Sequence, residues 1–273
     1  MTDGSFEPAE TEDREGRLTT SSVFDRAVAR VRVNPSLLLP FVLAGIVLTV
    51  LDRLRLRDPV PTVERAPIGI DEITVQFGYV GYPTGVPGTS RRLDAVVDLE
   101  VPYLLWAVGL EVVALVAVAA AGWYTIARAA DAEPTAKGFG SYLGLIVLFT
   151  VALWALGSIG DVAPLGPFGL VVALGLLVVV LLVFIRLFLA PALAALGEPL
   201  RSAIGRSYRL TGGHELALAG LVVTYGLLAW LIGAVPYVGA FTSTVTVAVI
   251  HAVSTVIALE SITADEPSPD AHS

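Results

Sequence analysis

"GEPLRSAIGRSYRLTGGH", residues 197–214, places three arginines between two of the most apolar runs of the chain, 168–192 and 215–235. An apolar run approaching about 20 residues is long enough to cross the hydrocarbon core of a bilayer. A short basic segment between two such runs therefore reads as a loop at a membrane surface. Runs of the same kind fall at 36–54, 101–125, 140–160 and 239–260. The fold class expected is an all-α membrane protein with about six transmembrane helices in a bundle.

Composition agrees with that reading. Apolar residues make up 55% and charged residues 15% of the 273, with a mean hydropathy of +0.76, too apolar for a soluble domain of this length. The 25 acidic against 17 basic residues leave a formal charge of -8, and Lys137 is the single lysine. Acidic, arginine-based charge of this kind suits a high-salt setting, where screening is short-ranged and acidic surfaces stay hydrated. With no cysteine, disulfides, thiolate metal sites and cysteine nucleophiles are excluded.

Within 197–214, helical spacing puts Leu200, Ala203, Ile204, Ser207, Tyr208 and Thr211 on one face and Arg201, Arg206 and Arg209 on the other. Pro199 fits a first helical turn, where its missing N–H costs little, and Gly212-Gly213 ends the helix. The segment is expected to be an amphipathic helix lying in the interface, its arginines near lipid phosphates. A second interfacial helix is expected before the first span. There Val23, Phe24, Ala27, Val28 and Val31 form the stripe, Arg26 and Arg30 lie off it, Ser22 caps the start and Asn34-Pro35 ends it. The candidate lipid-phosphate contacts are Arg26, Arg30, Arg201, Arg206 and Arg209.

The domain plan is tail, bundle, tail. Residues 1–19 and 263–273 are acidic, poor in large apolar residues and expected to be disordered, flanking a membrane domain over 20–262. Positive residues in short loops stay cytoplasmic. Arg128 and Lys137 in one loop and Arg201, Arg206 and Arg209 in another, with no basic residue at 161–167 or 235–239, put both termini in the cytoplasm. The loop at about 55–98 is then outside, although Arg53, Arg55, Arg57, Arg65, Arg91 and Arg92 fall on that side. In it Ile73, Val75, Phe77 and Tyr79 alternate with Thr74, Gln76 and Gly78, and "GYPTGVPG" (81–88) follows as turn material, so a small β-like hairpin is expected over the outer mouth of the bundle.

"RLFLAPALAALGEPLRSAIGRSYRLTGGHELALAGLVV" (186–223) resembles a pattern found in multi-span proteins related to the membrane domain of glycerophosphodiester phosphodiesterases. The matching positions are Phe188, Pro191, Glu198, Ala203, Ser207, Leu210 and Gly213. "NPSLLLP" (34–40) and "AGWYTIARAADAEP" (121–134) are similar to span boundaries of uncharacterised haloarchaeal members of that group. The resemblance implies a six-span helical domain and no known activity. The catalytic barrel that some relatives carry has no counterpart in these residues, so their chemistry does not transfer.

No catalytic or cofactor signature is present. "SIGD" (158–161) departs from the G-x-G-D of intramembrane aspartyl proteases, and "GFGSYLG" (138–144) is neither G-x-G-x-x-G nor preceded by a strand. His214, His251 and His272 lack metal-ligand spacing, and no basic patch has the size nucleic acid needs. "AEPTAKGFGSYLGLIVL" (132–148) echoes "GEPLRSAIGRSYRL" (197–210) as a small-Glu-Pro turn after a span. Two functions remain: a non-catalytic membrane scaffold or accessory protein contacting lipid or another membrane protein, or a small-solute or ion transporter. Glu111 and His251 are the candidate intramembrane groups for the second. Each lies about ten residues into its run, near the midplane, and the two are expected to meet as a buried polar contact.

Overall fold

The computed structural model describes residues 18–64, 81–91, 99–161 and 166–264. The first and last tails and the alternating stretch 73–79 lie outside or almost wholly outside those residues. The chain is an all-helical membrane bundle. Among these described residues five helices are long and apolar enough to cross a bilayer: Pro35–Arg55, Val101–Ala129, Ala136–Leu153, Glu215–Gly233 and Gly239–Ala264.

Helix α1, Thr20–Val33, begins in a capping box: the Thr19 hydroxyl accepts from the Ser22 N–H at 3.2 Å, and the Thr19 N–H donates to the Ser22 hydroxyl at 3.3 Å. The cap is thus Thr19, one turn before the Ser22 expected from sequence, and Ser22 is the returning partner. Val23 and Ala27 on the expected stripe are fully buried, and Asn34 ends the helix. A 3-10 turn, Pro35–Leu38, leads into α2, Leu39–Arg55.

Two residues each of β1 (Val63–Glu64) and β2 (Thr89–Ser90) pair antiparallel, with Val63 opposite Ser90. Then come α3 (Val101–Ala129), α4 (Ala136–Asp161) and α5 (Gly166–Arg186). The run expected as one span over 168–192 is instead two helices. A turn at residues 187–189 separates α5 from the short α6, Ala190–Ala195, all of it buried. Pro191 is the cause: it has no N–H to give the Leu187 carbonyl, and its ring clashes with a helical carbonyl four residues back. Ala190 N–H bonds to Leu187 at 3.0 Å, which leaves the Arg186 carbonyl without its helical donor.

Helix α7, Leu200–Leu210, supplies the replacement. The Ser207 hydroxyl donates to the Arg186 carbonyl at 2.9 Å and the Thr211 hydroxyl at 3.4 Å. Ala203, Ser207 and Thr211 are fully buried, whereas Tyr208, expected on the same apolar face, is exposed. Gly213, at φ +85, turns the chain into α8, Glu215–Gly233, and α9 follows, Gly239–Ala264. Helix α9 is the mast of the bundle: 72% of its apolar window is buried, against 28% for each of the other four spans.

"GYPTGVPG" does not lie over the mouth of the bundle as the turn-rich sequence suggested. It enters it. A Cβ at Gly81 would stand 2.7 Å from the Phe184 ring, and Tyr82 stacks on Phe149 with centroids 6.4 Å apart. Val86 is buried against Gly233, and its N–H donates to Ser243 at 3.4 Å. Irregular backbone is tolerated at that depth because protein, not lipid, surrounds it.

Gly85 is the tightest point of this insertion. A Cβ there would lie 2.6 Å from the Thr244 backbone, so Gly85→Ala is expected to displace the segment and lower the thermal midpoint in detergent. Ser207→Ala combined with Thr211→Val is expected to cost about 1–3 kcal/mol by orphaning the Arg186 carbonyl, seen as a lower midpoint. Thr246→Val, at an exposed hydroxyl bonded within its own helix, serves as the near-neutral control.

Candidate functional site

Helix polarity sorts the charged residues onto two faces. The α1 face collects the ends of α3 and α9, the starts of α4 and α8, and α7. It is tied by an Arg30–Glu260 pair at 2.9 Å, a bond from Arg30 to the Ala129 carbonyl at 2.9 Å and one from Thr20 to the Ala217 carbonyl at 2.9 Å. Its cations are Arg26, Arg30, Arg32, Arg128, Lys137, Arg186, Arg201, Arg206 and Arg209. Its carboxylates are Asp25, Asp131, Glu133, Glu198, Glu215 and Glu260. Among the described residues the opposite face has no such excess, with Arg53, Arg55, Arg57 and Arg91 against Asp52, Asp58, Glu100 and Glu111.

The five arginines expected at lipid phosphate separate into two groups. Arg30 is engaged by Glu260 through two bonds, at 2.9 and 3.1 Å, Arg26 donates to Ser261 at 2.9 Å, and Arg206 pairs with Glu198. These three have protein partners: Arg26 and Arg30 lie where α1 packs beside the last helix of the bundle, and Arg206 reaches back to the turn before its own helix. Arg201 and Arg209 are exposed on α7, with no carboxylate partner among the described residues. Arg186 sits at the end of α5, pairs with Glu215 at 2.9 Å and lies 5.1 Å over the Tyr208 ring, both ions partly exposed.

Glu111 and His251 do not meet. Glu111 pairs with Arg55 at 2.9 Å, while the buried His251 ring is stacked between Tyr225, centroids 4.8 Å apart, and Phe188, 5.6 Å apart. Their heights explain the separation. Thr125 of α3 donates to the Leu37 carbonyl at 3.4 Å, and Gly45 of α2 packs against Phe241 and Val245 of α9, which levels His251 with the first turn of α2 and hence with Thr125. Glu111 stands about 21 Å from Thr125 along α3 at about 1.5 Å per residue. Counting from the start of each apolar run had placed them level, but α3 is 29 residues long and overhangs α2 and α9 at the far face.

At that far face Arg55 is the hub. It is 4% exposed and bonds Asp52 at 3.1 Å as well as Glu111. Asp52 in turn accepts from the Gly88 N–H at 3.2 Å and the Thr89 hydroxyl at 2.6 Å, fastening the inserted segment to α2. Beside it Arg91 pairs with Asp58 and bonds Thr62 at 3.1 Å, and the Trp106 indole donates to Asp58 at 3.2 Å. Sequence reading missed this cluster. The signal available was Asp52 and Arg55 one helical turn apart at the end of an apolar run. Between Asp52, Arg55, Thr49, Thr244 and Val86 lies a small cavity, with room on the order of one water.

The arrangement can hold charge in place. Among the described residues no group of His, Asp and Glu gathers as a metal site would. Comparison with known protein families, curated proteins and solved structures finds no match for this chain.

Arg55→Met would leave Asp52 and Glu111 without their shared cation. Asp52 is largely buried and Glu111 half-exposed, so the expected cost is about 1–3 kcal/mol, the scale for leaving a buried polar group without its partner. Thermal unfolding in detergent checks this, and adding Glu111→Gln to Arg55→Met is expected to recover part of the loss.

Proposed function

We propose that the chain is a non-catalytic integral membrane scaffold or accessory protein of the cell membrane, presenting its α1 face to membrane lipid or to another membrane protein. The observation that carries this reading is the close packing between the described helices. The inserted segment 81–88 and the buried α6 occupy the space between the helices, and the cavity beside Asp52 holds little more than a water. A second reading, a small-solute or ion transporter, is favoured by the same two elements. Non-helical backbone and an interrupted helix at membrane depth are features that transporters use at their sites. In that reading Glu111 and His251 act separately, at different depths.

Helix α5, at 21 residues, serves as a sixth span in this proposal. The α1 face is cytoplasmic and both termini lie inside, since the excess of positive charge collects there. The resemblance to haloarchaeal relatives of the phosphodiesterase membrane domain accords with a six-span body without its own chemistry.

The chain has no cysteine, so single cysteines report cleanly on orientation. In intact cells an impermeant maleimide is expected to label Arg57→Cys and to spare Arg201→Cys; the converse pattern would reverse the orientation. Proteoliposomes holding the purified chain are expected to show no flux of protons, potassium or small polar solutes above protein-free vesicles. Flux abolished by Arg55→Met or by a His251 substitution would replace the scaffold with the transporter.

A further inference from the structure

Helix α7 divides its three arginines unequally. Arg206 is paired with Glu198, and the same carboxylate also accepts from the Ser202 hydroxyl at 3.2 Å. The acid beside the start of this helix is therefore already engaged. Arg201 and Arg209 stay exposed, one on each side of Gly205. Steps of four residues along an α-helix keep one stripe, advancing by about 6 Å each, so the two arginines lie about 12 Å apart along the axis with Gly205 midway. A Cβ at Gly205 would meet nothing within 4 Å, so the backbone between the arginines is open.

Two exposed guanidinium groups on flexible stems either side of an open backbone suit one tetrahedral oxyanion, because each offers a planar fork of donors that matches phosphate oxygens. The stripe is held in position from behind. Ala203 and Ser207 are buried on the opposite side of α7, and the Ser207 hydroxyl is fixed to the Arg186 carbonyl. Tyr208 flanks Arg201 on the wheel and is 59% exposed, with Arg186 over its ring; an aromatic with a polar tip favours the headgroup level of a bilayer.

We infer that Arg201 and Arg209, across Gly205, bind the phosphate of an anionic phospholipid headgroup in the leaflet next to α7. The inference rests on the reading that this face meets lipid, and it names the lipid class and the residues. Arg26, Arg30 and Arg206 are outside the site because protein groups hold them. The positive excess of the α1 face makes an anionic lipid the complementary occupant, and the location of α7 at the bundle's edge makes the leaflet its source.

Native mass spectrometry of the purified full chain, titrated with phosphatidylglycerol and separately with phosphatidylcholine, tests it. The wild-type chain is expected to retain phosphatidylglycerol preferentially. Arg201→Gln with Arg209→Gln is expected to weaken that retention about tenfold or more, with an unchanged thermal midpoint showing that the bundle is intact. Gly205→Leu keeps every charge and closes the gap, so it is expected to weaken retention as well. Arg26→Gln is expected to leave it unchanged. Equal retention of the two lipids, or loss caused equally by Arg26→Gln, overturns the site. A spin label at Ser202→Cys in vesicles separates this from the broader reading: label in the headgroup region with no lipid preference rejects the site alone. Label in bulk water or within a protein contact rejects the lipid-facing assignment of α7 itself.

Discussion

A backbone carbonyl released against packed protein needs a new donor, and the carbonyl of Arg186 is released where Pro191 breaks the α5 helix. Ser207 and Thr211 both reach it from α7. Much of the rest follows from that pair of bonds. They hold an otherwise superficial amphipathic helix against the core, direct its arginine face outward, and allow α6 to fold back into the bundle as a buried plug of small residues. Phe188, carried on the same break, packs against His251 of the central helix. One proline thus connects the surface helix to the middle of the molecule.

Much of this architecture could be read from the residues. The apolar runs gave the helices, the period of Val23 and Ala27 gave the buried stripe of α1, and the two glycines after α7 gave its end. What failed did so for physical reasons. "FLAPAL" held the proline that splits the fourth run, but a continuous hydropathy signal does not register a hydrogen bond that cannot form. Glu111 and His251 looked level because depth was counted from where apolarity begins, and α3 projects beyond its neighbours. "GYPTGVPG" has turn chemistry wherever it lies; only the small faces of Gly233 and Thr244 that accept it decide that it goes inward.

The arginines show the same distinction between residue type and environment. Several lie in the loop after α2, against the simple expectation for a segment facing outward. Two of those described, Arg55 and Arg91, are themselves buried and engaged by Asp52, Glu111 and Asp58. A guanidinium so compensated acts as a structural tie. It fastens the hairpin and the inserted segment to α2 and α3, whereas the arginines of α7 remain available to whatever lies beyond the protein.

The burial of α9 bears on how the chain is made. It is the last of the described helices to leave the ribosome, yet the others pack around it, and its inward side carries Ser243, Thr244, His251, Ser254 and Thr255. Until it arrives, the earlier spans have an unfilled groove between them, with Tyr225 waiting for His251 and Ser254. Assembly therefore cannot proceed strictly in the order of synthesis. The membrane has to hold a set of inserted but unfinished helices until the final one enters, and a nascent chain halted before α9 would have its spans without its fold.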